Sequence, residues 1–116
     1  MADLFRVAEH HLDLALRDEH GRSAELILRD GVLRQSVLAL REGAALAEHN
    51  SPRAATLQVL TGRVRVTGQG SEEEVEEGHV VVLTHQRHSV TALTDAAFLL
   101  TTVTSVDQAD GPERAR

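Results

Sequence analysis

Apolar residues first recur at helical spacing. Over 4–18, Phe5, Ala8, Leu12, Ala15 and Leu16 predict one apolar helix face, which Asp3 is placed to cap and Gly21 to end. His10 and His11 lie on this helix without a second histidine four residues away, and read as solvated or partly packed side chains. Beyond Gly21 the period shortens. Runs rich in Val, Leu and Thr predict strands over 24–29, 32–41, 45–48, 54–60, 63–67, 73–76, 79–84, 89–93 and 97–104. Turn signals separate them at Asp30-Gly31, Gly43, Asn50-Ser51-Pro52, Thr61-Gly62, Gly68-Gln69-Gly70, Gly78 and Thr94-Asp95. Short strands at close spacing, behind a single helix, predict an antiparallel sandwich or barrel. The organisation expected is a helix over 1–22, a barrel over 23–106 and a polar tail over 107–116 that frays.

Composition narrows the chemistry. The chain of 116 residues carries a formal charge of -6, has no Cys, Trp or Tyr, only two Phe, and draws all twelve basic residues from Arg. Thiol, phenol and Schiff-base chemistry are thereby excluded, and any catalytic group comes from His, Asp, Glu, Ser, Thr, Arg or a bound metal. An acidic chain with few aromatic rings is not expected to bind nucleic acid. No apolar run approaches the roughly 20 residues that cross a bilayer, and the acid- and His-containing start is unlike a secretory signal, so a cytoplasmic protein is expected. Gly68-Gln69-Gly70 lacks the third glycine and the following helix of a phosphate loop and runs into Glu72, Glu73, Glu74, Glu76 and Glu77. It reads as a hairpin turn, and the acidic run as a solvated edge strand.

Two segments carry a resemblance: GAALAEHNSPRAATLQVLTG, from Gly43 to Gly62, and GHVVVLTHQRHSV, from Gly78 to Val90. In the first, His49 follows Gly43 after five residues and Gly62 closes the pattern; in the second, Gly78, Val80 to Leu83 and His88 fall in order. Over roughly Leu33 to Val103 the chain resembles a small single-domain cupin, and LRQSVLALREGAALAEHNSPRAATLQVLTGRVRV is similar to a group of cupin-2-like actinobacterial proteins. The resemblance implies an all-β cupin double-stranded β-helix, a jelly-roll barrel paired as a homodimer, with metal ligands pointing inward near one mouth. In the family those ligands are commonly three histidines and one glutamate. Here Ser51 and Ala55 stand at two of the four positions and Thr84 replaces a proline, leaving His49 and His88.

The function expected follows from that remainder. A stable divalent site takes about three protein ligands. His85, in the turn three residues before His88, is placed to complete one. Glu48 adjoins His49 but alternates to the other face, and His79 is roughly 16 Å from Thr84 along its strand. Ser51 with His49 lacks an evident oxyanion hole, so Asn50-Ser51-Pro52 reads as turn chemistry. Arg53, Arg87 and Gln58 are candidates to rim the mouth and fix an anionic ligand. Ala55, Leu57 and Val59 alternate with Thr56 and Gln58 and are expected to face the interior. The favoured reading is a non-enzymatic barrel that binds a small molecule in a pocket of His49, Ser51, Ala55, Leu57 and His88. The alternative is a metal-dependent cupin enzyme, an oxygenase or isomerase, with His49, His88 and His85 holding zinc, iron, nickel or manganese.

Overall fold

The computed structural model describes residues 1–49, 54–68, 70–83 and 88–104, with 47–49 given by their backbone alone. The described chain forms helix α1 (Leu4–Arg17) and strands β1 (Arg22–Asp30), β2 (Leu33–Leu40), β3 (Ala45–His49), β4 (Ala54–Thr61), β5 (Arg63–Gly68), β6 (Ser71–Glu76), β7 (Val80–Leu83), β8 (His88–Ala92) and β9 (Ala96–Val103). The expected tail lies outside the described residues. The strands build two antiparallel sheets, a five-stranded one in the order β1-β2-β9-β4-β7 and a four-stranded one in the order β3-β8-β5-β6. The fold is a jelly-roll barrel with a helix laid on its outside.

Two cores follow from strand alternation. Inward residues of both sheets, among them Leu40, Leu57, Val59, Val64, Val75, Val90 and Phe98, fill the space between the sheets. The opposite face of the five-stranded sheet, with Val37, Ala39, Ala97 and Leu99, packs under Ala8 and Ala15 of α1. Strand β6 forms one edge of the four-stranded sheet, where only Val75 of its residues is buried and the glutamates are exposed. Arg65 meets two of them, 3.4 Å from Glu74 and 4.0 Å from Glu72. These exposed pairs contribute little to stability. Their charges keep the edge from templating another strand.

The helix departs from its expected face. Phe5 and Leu16 are 68% and 47% exposed, whereas His11 is buried with Ala8 and Ala15. The reason is a pair of partners on β1 that spacing within the helix cannot show. His11 Nε2 lies 2.7 Å from Glu25 Oε1 and Nδ1 lies 2.6 Å from Ser23 Oγ. With the proton on Nε2, the ring donates to the carboxylate and accepts from the hydroxyl, so burial leaves neither nitrogen unsatisfied. Asp3 does cap the start, its carboxylate accepting from the Arg6 amide. The end, however, comes at Arg17 with Asp18 as the cap, and Gly21 instead turns the chain into β1 at φ +72°.

Asp18 supports that turn by accepting from the amides of His20 at 2.9 Å and Arg22 at 3.1 Å. These bonds, the Arg22 amide foremost, hold its carboxyl below the ordinary range. Its stabilisation is therefore complete above that range and is lost as pH falls through the lowered value. Urea unfolding is expected to show Asp18→Asn less stable than wild type at neutral pH, with the difference closing in strong acid. A difference that stays constant with pH would refute the assignment.

Gly62, which closes the first sequence motif, is fixed by two constraints together. Its φ is +82°, and an added Cβ would press on the Asp95 carbonyl oxygen and come within 2.8 Å of Ala96 Cα. Gly31 also has positive φ, +57°, but opens onto empty space. Gly62→Ala is therefore expected to cost about 2–5 kcal/mol, the left-handed penalty plus overpacking, against about 1–2 kcal/mol for Gly31→Ala. Equal losses in chemical denaturation would show that the close approach to β9 is not what the glycine permits.

Candidate functional site

The register of the five-stranded sheet lays out one end of the barrel. Ala55 pairs with Leu83 on one side and Thr102 on the other, and Thr102 pairs in turn with Arg34. Residues paired across an antiparallel ladder share a face. Ala55, Thr102 and Leu83 border a cavity of ≈ 20 Å³ between the sheets, whose deeper wall is Leu57, Phe98 and Leu100. The four-stranded sheet closes it with Leu46, Val90 and His88. A cavity of this size has room for about one water.

His88 is the single titratable side chain on this cavity among the described residues, and it is 4% exposed. It opens β8, which places it at the end of the barrel. On its other side it borders a cleft of ≈ 70 Å³ shared with Glu73 and Ser71. The backbone register sets His49 directly opposite His88 on the neighbouring strand.

Three of the expected pocket residues, Ala55, Leu57 and His88, thus line one cavity. The His49 side chain, Ser51 and His85 lie outside the description, as do Arg53 and Arg87. Val59 faces the interior with Ala55 and Leu57. Gln58 does not belong to the mouth: its partners are Leu99 and Val80, and Leu99 packs on the helix side, which puts Gln58 on the outer face. His79 is exposed in the turn before β7, beside the carbonyls of Glu76 and Glu77.

Sequence reasoning missed Arg34 altogether. It lies one position across from Thr102 with a buried Nη1 that has no hydrogen-bond partner. No local spacing singles it out, because its neighbours arrive from β1 and β9.

Solved structures share this architecture. A cupin superfamily protein from Desulfitobacterium hafniense superposes with a TM-score of 0.68 at 13% identity, covering 72% of this chain and 78% of its own. An RmlC-like cupin protein from Desulfovibrio desulfuricans gives a TM-score of 0.64 at 24% identity, over 71% of this chain and 81% of its own. The fold is that of the cupins. A salicylate 1,2-dioxygenase from Pseudaminobacter salicylatoxidans superposes with a TM-score of 0.73 at 18% identity over 84% of this chain, which spans 33% of the dioxygenase. No family model and no curated protein matches the sequence, so the likeness to the cupins is one of structure.

Cupins commonly hold a divalent metal, and the donor set can be weighed against one. Among the described residues no three His, Asp or Glu side chains converge. At the family's carboxylate position the wall is Ala55, 5% exposed and packed among leucines. One described imidazole against an apolar wall falls short of the three ligands a divalent site takes. The described residues therefore do not fit a metal. No helix among them is long and apolar enough to cross a membrane.

Proposed function

We propose that the chain is a non-enzymatic cupin module, a homodimeric barrel that takes a small molecule at the His88 end of its interior. The observation that carries this reading is the cavity wall: Ala55 stands where the family's first motif supplies a carboxylate donor, Leu57 continues the apolar wall, and His88 is the one described polar ring beside them. Such a surface binds by burial with few directed contacts. A buried imidazole serves it as a hydrogen-bonding group without proton transfer.

One observation favours a second reading. His49 and His88 occupy directly paired positions on β3 and β8, which brings two imidazole-bearing residues to one end of the barrel. In that reading His85 completes a metal site and the module is an oxygenase or isomerase. Elemental analysis of untagged protein, prepared without chelator, separates the two. The proposal expects far less than one metal per chain, and added zinc, iron, nickel or manganese raises the melting temperature of wild type by no more than it raises that of a His49→Ala, His88→Ala double variant. Near-stoichiometric metal that disappears in the double variant overturns the non-enzymatic reading.

Pairing is supported by β1, an edge strand with Leu26 and Leu28 48% and 44% exposed. Two-fold pairs are also the commonest soluble assemblies. Sedimentation equilibrium is expected to return twice the 12.6 kDa chain mass. A monomer at tens of micromolar protein would sink the homodimer.

A further inference from the structure

Strand parity divides the acidic run of β6. Val75 is buried in the barrel core and pairs with Val64, so residues two and four positions before it share its inward face. Of the glutamates in SEEEVE, Glu73 alone stands at such a position, paired with Val66, while Glu72, Glu74 and Glu76 turn to the outside. Arg65 points outward with them and meets Glu72 and Glu74. Glu73 has neither an ion pair nor a hydrogen bond among the described residues. An inward charge can guard a sheet edge, but the outward glutamates already do so here.

Glu73 instead borders a cavity. The cleft of ≈ 70 Å³ opens between β6, the edge of the four-stranded sheet, and β7, the edge of the five-stranded one. Glu73 and Ser71 border it from β6, Val66 from β5 and Leu83 from β7, with the buried His88 behind them. No arginine lines it among the described residues. A cleft whose one carboxylate lacks a cation attracts a positive guest, and the chain's net charge of -6 adds to that attraction. At about 10–15 Å³ per water, this volume holds about five waters or a molecule of about four heavy atoms.

The chemistry of the walls selects among small cations. A divalent metal takes about three protein ligands, and no three His, Asp or Glu side chains converge among the described residues. A quaternary ammonium has no N–H to donate and is held by aromatic faces. The chain has no Trp or Tyr, and of its two Phe, Phe98 is sealed in the core and Phe5 lies on the helix. A primary ammonium is a compact charge with three donors. The Glu73 carboxylate and the Ser71 hydroxyl offer it acceptors, and Val66 and Leu83 offer a short carbon chain apolar cover.

We propose that Glu73 is a cation anchor, and that the cleft between β6 and β7 takes a small primary ammonium compound with its head on the Glu73 carboxylate. This rests on the interior-binding reading and adds the class of ligand to it.

The probes are propylammonium, 1-propanol and propionate, which share a short chain and differ in the charge of the head. Each is titrated at neutral pH into wild type, Glu73→Gln and Glu74→Gln, and followed by the NMR amide shifts of Val66, Glu73 and Leu83. The expected result is that propylammonium binds wild type at least ten-fold more tightly than 1-propanol. Glu73→Gln brings it down to the level of the alcohol, and Glu74→Gln, on the outer face of the same strand, leaves it unchanged. Equal binding of ammonium and alcohol to wild type overturns the anchor while leaving the interior reading in place, and that comparison needs no variant to fold. Propionate binding as tight as propylammonium also overturns the anchor. An equal loss in Glu74→Gln shows attraction to the acidic strand as a whole and removes the role from Glu73. Shifts from none of the three probes overturn the interior reading as well.

Discussion

The first half of strand β9, Ala96 to Leu99, is buried on both faces, and the rest of the molecule depends on that. Ala96 and Phe98 turn into the barrel while Ala97 and Leu99 turn under α1, and β2 and β4 pair along its two edges. Because side chains alternate with a period of two, the same parity carries on to Leu100 and Thr102 at the far end. Both of these line the cavity. A slip of one residue would bring Ala97, Leu99 and Thr101 inward and expose Phe98 to the helix side. The packing that stabilises the sheet is thus the packing that decides which residues look into the site.

This also explains what could be read from the chain and what could not. The turns announced themselves through glycine and Asx residues, and strands with one polar face showed their alternation, as in Ala55, Leu57 and Val59 against Thr56 and Gln58. Even β9, a continuous apolar run, is marked as a strand by its length and its turn at Thr94-Asp95. The helix face was legible only in part. Apolar spacing nominated Phe5 and Leu16, but the sheet beneath α1 is covered by small residues such as Ala8 and Ala15 together with the buried ring of His11. His11 is placed by Ser23 and Glu25. No helical period contains those two residues.

The candidate site divides in the same way. Ala55, Leu57 and His88 were legible because each sits at a fixed distance from a motif glycine. Arg34 was not, since its meaning comes from the register that brings Arg29 to one side of it and Thr102 to the other. Gln58 failed for the converse reason. As a polar residue in the right strand it resembled a mouth residue, yet strand parity turns it outward beside Leu99.

The departure at Ala55 and the orphaned guanidinium of Arg34 are two consequences of one arrangement. Both belong to a single row across the five-stranded sheet, separated by Thr102 alone. A glutamate at Ala55 would stand about 10 Å from the Arg34 backbone, within reach of its long side chain, and would give that cation an internal partner. It would also supply a metal with its carboxylate. With alanine there, the row grades from cationic at Arg29 and Arg34 to apolar at Ala55 and Leu83. The residue that widens the apolar wall of the cavity is thus also the one that leaves Arg34 without a carboxylate in its own row.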